Sequence, residues 1–240
     1  MIAVYAFAFE IYFDFSGYTD IALGSAMLLG IKLPPNFNRP YAAESIADFW
    51  RRWHISLSNW LRDYLYFSLP GKRSKIAPYA NLILTMVIGG LWHGASWTFV
   101  IWGALHGVGL AMVRYVQSAF PAKKGAVAPA WWRYGRIVLT FHFVAFAWIF
   151  FRASSFENAV LILSRIASLT VSFANISWPL AFILAIAVTA HYLPKRWYDA
   201  SLTFYAQAPF YAQAVALVLL VIGLQNVLQT GAAPFIYTRF

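Results

Sequence analysis

A succession of apolar stretches, each close to the length that crosses a membrane, restricts this chain more than any other feature. Roughly 20 apolar residues span a hydrocarbon core. Candidate stretches run from Tyr18 to Ile31, with a further one before it from Ile2 to Phe13, then Ala77 to Leu91, Trp97 to Val113, Ile137 to Phe151, Ile176 to Leu193 and Pro209 to Leu228. Hydrocarbon offers no partner to a backbone N–H or C=O, and a helix pairs these groups internally, so the stretches read as helices. Composition agrees: 61% of residues are hydrophobic and 11% charged, against roughly 25% charged in a soluble domain. The expected fold is all-α and polytopic, with about five or six transmembrane helices plus amphipathic or re-entrant helices. It forms a single membrane domain over residues 1–240, with a core at 9–113 and C-terminal helices at 137–240. The segment Asn158 to Phe173 is apolar but carries Arg165 and reads as interfacial. Pro34-Pro35, Pro70-Gly71, Pro121 and Pro194 mark connections, because proline lacks an N–H and has a fixed φ.

Charge adds orientation. The chain carries a net charge of +10, which in so apolar a sequence points to helix ends facing anionic headgroups rather than to nucleic acid. Eight Lys and Arg lie from Lys32 to Lys75, five from Arg114 to Arg136, two from Arg152 to Arg165 and two at Lys195 and Arg196. The positive-inside bias places the first two groups on the cytoplasmic side. The helices between them then form a hairpin, with His93-Gly94-Ala95-Ser96 at its bend. Its first arm, at 1.5 Å per residue, reaches only about 23 Å of a core about 30 Å thick, so His93 is expected to be buried. The N-terminus lacks a basic start and a small-residue cleavage site, and Glu10, Asp14 and Asp20 interrupt it, so it does not read as a signal peptide. Without cysteine there are no disulfides, thiolate metal sites or cysteine nucleophiles.

Two Trp-His pairs carry the chemistry. Trp92-His93 lies in GGLWHGASWTFVIWGALHG, and an ionisable group in so apolar a setting is a functional candidate by default. Trp53-His54 lies in FWRRWHISLSNWLRDYLY, whose period is helical but whose charge forbids spanning. At about 100° per residue, Ile46, Phe49, Trp50, Trp53, Leu57, Trp60, Leu61 and Tyr64 fall within an arc of about 120°. Asp48, Arg51, Arg52, Ser58, Asn59, Arg62 and Asp63 lie opposite, with His54 at the border. Two readings stand: a surface amphipathic helix over Glu44 to Tyr64, or a re-entrant helix whose polar face lines a cavity.

The remaining polar residues read as structural. His106, thirteen residues after His93, sits about 220° around a continuous helix and shares its face only if the helix breaks. His142 and His191 have no motif around them, and Asp14 and Asp20 call for Arg or Tyr partners. Ser16 and Ser96 lack the G-x-S-x-G elbow of a serine nucleophile. No H-x₃-H or H-E-x-x-H spacing supports a catalytic metal.

The ordered runs YFDFSGYTDIALGSAMLLGIKLPPNFNRPY, DFWRRWHISLSNWLRDYLY and NLILTMVIGGLWHGASWTFVIWGALHG resemble the membrane-bound O-acyltransferase family. The nearest branch is that of bacterial alginate O-acetyltransferase membrane subunits, with the D-alanyl transfer proteins of teichoic acid modification more distant. The likeness is close from Phe9 to Val113 and extends to FFRASSFENA and the terminal PFIYTRF. It implies a multi-pass protein of the bacterial inner membrane that moves an acetyl group from a cytoplasmic donor, acetyl-CoA or similar, to a hydroxyl of an exported alginate-like polysaccharide or of a relay protein. No bound cofactor is implied. The resemblance maps the catalytic histidine onto His93 and a second functional histidine onto His54. Arg51, Arg52, Asn59, Trp60, Arg62, Asp63 and Trp92 share these motifs as candidate substrate-binding residues. The expected partners are membrane lipid, an extracytoplasmic acetyl-transfer protein, and an N-terminal half or other membrane chain, because family members are about twice this length.

The chemistry of His93 stands beside the resemblance. An alcohol is almost wholly protonated at neutral pH, and a neutral imidazole in reach removes its proton as it attacks a thioester. A nucleophilic role through an acyl-imidazole stays open. Arg51, Arg52, Arg62, Lys72, Arg73 and Lys75 suit the phosphates of coenzyme A. A proton-conducting subunit with His93, Asp14 and Asp20 as relay, or an inactive fragment, remain the alternatives.

Overall fold

The computed structural model describes residues 1–71, 74–121, 129–169 and 176–229. Lys72, Arg73 and the PFIYTRF run lie outside them. The described residues form helices and turns, without a strand. Two compact units divide the chain, residues Met1–Leu184 and Ala185–Phe240.

In the first unit, α1 is one unbroken helix from Ile2 to Leu28, where the sequence suggests two runs. Nothing in it breaks a helix: Glu10, Asp14 and Asp20 interrupt the apolar pattern but keep the backbone ladder. The helix ends where Gly30 adopts φ +75°, a left-handed conformation that glycine reaches without a Cβ penalty. Pro34 and Pro35 then prevent any resumption. Only the first half of α1 enters the core, through Phe7, Ala8, Phe9 and Ile11. Asp14 is half-buried and Asp20 exposed. Asp20 pairs with no Arg or Tyr among the described residues, because its half of the helix faces away from the rest of the unit.

A 3-10 turn at Pro40–Ala42 carries Tyr41, which is buried and donates its hydroxyl to the Ala8 carbonyl of α1. Next come α2, Ile46–Trp50, and α3, Ile55–Trp60, followed by a π-helical turn at Leu61–Leu65. The single amphipathic helix expected over Glu44 to Tyr64 is therefore broken at residues 51–54. Ser45 caps α2 by accepting from the Asp48 N–H, and Asp48 accepts from the Glu44 N–H, each at 3.1 Å. Both bonds satisfy helix-start donors.

The hairpin of α4, Ala77–His93, and α5, Trp97–Ala119, forms the centre. Ser74 starts α4 by accepting from the Ile76 and Ala77 N–H groups, and Ser96 caps α5 by accepting from Thr98. The two helices meet backbone to backbone at Gly90, Gly103 and Gly107. A Cβ on Gly103 would lie 2.3 Å from the Met86 carbonyl oxygen. The 17 residues of α4 reach about 26 Å, so its end falls short of a full crossing, as its sequence suggests.

Helix α6, Ala130–Arg152, packs on α1 and α5. Tyr5 bonds His142 Nε2 at 3.0 Å, while His142 Nδ1 donates to the Val138 carbonyl. His142 is thus a link between α1 and α6. At the start of α6, Arg133 and Arg136 both pair with Glu44. These cations hold the loop before α2 as well as contributing to the positive face. Helix α7, Phe156–Ala167, follows with Ser155 as its cap.

Helix α8, Trp178–Tyr192, runs from the first unit into the second and carries the buried His191. In the second unit, α9, Lys195–Gln207, and α10, Phe210–Gln229, bend by 117° at Ala208-Pro209. Pro209 lacks the N–H that would continue the ladder, and Gln213 bonds the Ala208 carbonyl at 2.9 Å across the bend. Helices α5 and α6 are long and apolar enough to cross a membrane, and the bent pair adds a third candidate span.

Candidate active site

His93 is the last residue of α4, and only 8% of its surface is exposed. Four rings surround it, with centroids at 5.0 Å for Trp92, 6.2 Å for Phe99, 5.3 Å for Trp102 and 5.0 Å for Phe151. The break at residues 94–96 folds α5 back along α4, so Trp102 lies between His93 and His106. Gly94 serves this packing, because a Cβ there would come within 2.6 Å of the Phe99 ring that flanks His93.

His106 is fully buried, and its Nδ1 accepts the indole N–H of Trp50 at 3.2 Å. An indole nitrogen can only donate, so the proton of this imidazole sits on Nε2. The ring also stacks on Phe49 and meets Phe143 edge-on. His106 therefore packs α2, α5 and α6 together, as its place in the sequence suggests.

His54 follows Trp53, which joins the same cluster of rings. It sits in the turn between α2 and α3 at φ +42°, in the left-handed region. Histidine enters that region more readily than most residues do. Trp53 beside it is buried and meets Trp148, which stacks on Trp102, whose edge faces His93. The Phe15 ring stands edge-on to His54 at 4.8 Å.

The loop before α2 holds this turn. The Asn36 carbonyl accepts the Ile55 N–H at 2.9 Å, and its side-chain Oδ1 accepts the Ser56 N–H at 3.2 Å and the Ser56 hydroxyl at 3.0 Å. His54 Nδ1 lies 3.2 Å from the same oxygen. Reading the sequence by residue type passes over Asn36, although it stands inside the quoted run PPNFNRP. Asn38 adds a bond from its N–H to the Arg52 carbonyl at 2.9 Å.

The other candidate binding residues are placed as follows. Arg52 is half-buried and pairs with Asp48 at 2.9 Å; Arg51 is exposed and lies 3.5 Å from the same carboxylate. Burial by itself would raise the Asp48 carboxyl. The hydrogen bonds from Arg52 and the Glu44 N–H, with the charges of Arg52 and Arg51, hold it below the ordinary carboxylate value. Arg62 and Asp63 are exposed and pair with each other at 2.7 Å. Asn59, Trp60 and Trp92 are exposed. Ser96 acts as a cap, and its hydroxyl contacts that of Thr98. Among the described residues no group of three or more His, Asp or Glu is arranged to hold a metal ion.

His54 lies outside the spanning helices, and burial pushes its imidazole down to about 4. The unfolded chain takes up a proton near the ordinary value of 6.5 while the folded chain does not. Stability is therefore present above that value and lost as pH falls toward 4. The melting temperature in detergent is expected to fall over this window and to fall less steeply in His54→Gln. An equal slope in the two proteins would show that His54 is not held neutral.

The chain is 48% identical to the peptidoglycan O-acetyltransferase of Helicobacter pylori over 177 residues, covering 72% of this chain and 32% of that protein. It is 50% identical over 155 residues to the probable alginate O-acetylase AlgI of Azotobacter vinelandii, covering 64% of this chain and 30% of that protein. With the teichoic acid D-alanyltransferase of Bacillus subtilis the identity is 34% over 167 residues, covering 66% and 42%. The matched part thus spans about a third of the length of the first two relatives. The profile of the membrane-bound O-acyltransferase family matches residues 1–156, which include both Trp-His pairs and every helix that builds their surroundings. The chain therefore belongs to the membrane-bound O-acyltransferase family and is a multi-pass membrane protein.

Proposed function

We propose that this chain carries the reaction centre of a membrane O-acyltransferase that moves an acetyl group from a cytoplasmic donor, acetyl-CoA or a similar thioester, to a hydroxyl at the outer face of the bacterial inner membrane. The observation that carries this reading is a buried His93 at the tip of a short apolar helix, ringed by Trp92, Phe99, Trp102 and Phe151. The imidazole of His93 takes the proton of the acceptor hydroxyl as its oxygen attacks the thioester carbonyl. The new C–O bond forms, the C–S bond breaks, and the proton passes to the departing thiolate. The aromatic surround excludes water that would otherwise hydrolyse the donor.

Relatives named for acting on peptidoglycan, alginate and teichoic acid favour an exported polymer as the final acceptor. A relay protein outside the membrane is the immediate acceptor in the version with two transfer steps. Arg51, Arg52 and Lys75 supply positive charge toward the donor phosphates, and Asn59, Trp60, Arg62, Asp63 and Trp92 border the donor path. Residues 9–113 hold the reacting groups, and further membrane helices from another segment or chain complete the enclosure around them.

The test is release of free thiol from acetyl-CoA by the purified protein in nanodiscs, with a cell-envelope polymer fraction as acceptor and [¹⁴C]acetyl incorporation measured in parallel. Thiol release coupled to incorporation supports the reading. Neither signal across several acyl donors, from a protein assembled with its neighbouring membrane segments, would overturn it.

A further inference from the structure

The contacts around Asn36 decide which nitrogen of His54 carries the proton. A backbone N–H can only donate, so the Asn36 side-chain atom 3.2 Å from the Ser56 nitrogen must be the amide oxygen. This contact fixes the amide orientation. That oxygen can only accept, and it lies 3.2 Å from His54 Nδ1. Nδ1 must then be the N–H. The Ser56 hydroxyl gives its proton to the same oxygen at 3.0 Å, leaving its lone pairs toward His54 Nδ1 at 3.3 Å. With the Ser56 proton on Asn36 Oδ1, the shorter of its two contacts, both oxygens facing Nδ1 accept from it, and a neutral imidazole holds one proton, so Nε2 has the lone pair.

The backbone is built to keep the arrangement. In a continuous helix the Ile55 N–H would bond the Arg51 carbonyl and the Ser56 N–H that of Arg52. Asn36 takes both donors instead, with its main-chain and side-chain oxygens, and His54 occupies the left-handed turn that results. The Phe15 edge packs against the ring and limits its rotation.

We propose that Asn36 is a positioning residue that locks His54 in the Nδ1–H tautomer, so that Nε2 can only accept a proton or a hydrogen bond from a substrate. His54 then cannot polarise the donor carbonyl as a hydrogen-bond donor; it receives a hydroxyl or thiol hydrogen. The catalytic consequence rests on the acyl-transfer reading, whereas the tautomer does not.

The experiment labels histidine with ¹⁵N in the full protein in nanodiscs at pH 8 and reads which ring nitrogen is protonated, assigning His54 by the signal missing in His54→Gln. The native protein is expected to show His54 with Nδ1 protonated and Nε2 bare. Asn36→Asp, which keeps an acceptor, leaves Nδ1 protonated, and Asn36→Leu moves the proton to Nε2. Nε2–H in the native protein would overturn the proposal, as would Nδ1–H retained in a folded Asn36→Leu. In the transfer assay, Asn36→Leu is expected to lower kcat by about 10²-fold, the lower end of what general acid–base catalysis supplies, with KM for the donor little changed. Asn36→Asp should restore most of it. Equal losses in Asp and Leu variants would show a merely structural role. A tautomer as expected in a protein that transfers no acyl group would leave the lock standing and the transferase reading refuted.

Discussion

Replacing His93 with alanine is expected to lower acyl transfer by about 10²- to 10⁴-fold, the range a positioned general base supplies. The helix content and detergent-solubilised mass should be unchanged. The imidazole ends α4 among the rings of Trp92, Phe99, Trp102 and Phe151, and α4 and α5 remain joined through their glycines when it is removed. Because a buried cavity can itself loosen a core, His93→Gln is the companion variant: it keeps most of the volume and lacks the basic nitrogen. Both should lose thiol release and polymer acetylation together. Near-native transfer by a folded His93→Gln protein would remove His93 from the chemistry. Retained thiol release with lost incorporation would instead place it at the acceptor side alone.

The second large effect is on folding. Introducing a side chain at Gly103 is expected to cost about 3 kcal/mol or more, the upper part of the usual range for overpacking. The Cβ would lie 2.3 Å from the Met86 carbonyl oxygen and 3.0 Å from Val87 Cα. Those atoms belong to the backbone of α4 and cannot rotate away. A Cβ on Gly90 would lie 2.3 Å from the Phe99 carbonyl oxygen and one on Gly107 2.6 Å from Ile83 Cα, so the whole seam is closed to side chains. Small residues of this kind let membrane helices approach until their backbones touch. Gly103→Ala should lower the melting temperature in detergent, and Gly103→Leu should not accumulate as folded protein. Gly17→Ala and Gly24→Ala on α1 are the controls, since among the described residues nothing beyond the neighbouring turns of α1 itself lies within 4 Å of either added carbon. A Gly103→Ala protein as stable as these would show that α4 and α5 are not packed this closely.

The two effects are linked. His93 and Trp102 lie on opposite arms of the hairpin, and their rings meet at 5.3 Å only while the glycine seam is closed. Gly103→Ala should therefore reduce transfer as well as stability.

Much of this was legible in the residues. Apolar runs predicted α4, α5, α6, α8 and α10 to within a few residues at most ends, because length and hydropathy act locally along the chain. His93 stood out because a titratable group amid Gly, Leu and Trp needs a reason to be there. His106 was placed as a packing residue from its distance to His93, and it proved to be buried with its Nδ1 accepting from Trp50.

The helix read across Glu44 to Tyr64 shows where local pattern stops. Its arc put Trp53, Trp60 and Tyr64 on one face, yet Trp53 is 2% exposed, Trp60 53% and Tyr64 70%. One left-handed residue, His54, resets the phase of everything after it. Nothing in RRWHIS announces that turn, since its cause lies 18 residues earlier in sequence, where Asn36 offers two oxygens to the N–H groups of Ile55 and Ser56.

By itself, then, the sequence determined the membrane class and where most of the apolar helices lie, because hydrophobicity is a property of each segment alone. The tertiary structure decided the turn at His54 and the ring contacts that link Trp53, Trp148, Trp102 and His93. Each of these depends on hydrogen bonds or ring contacts between segments far apart in the chain, whose energies no single segment contains.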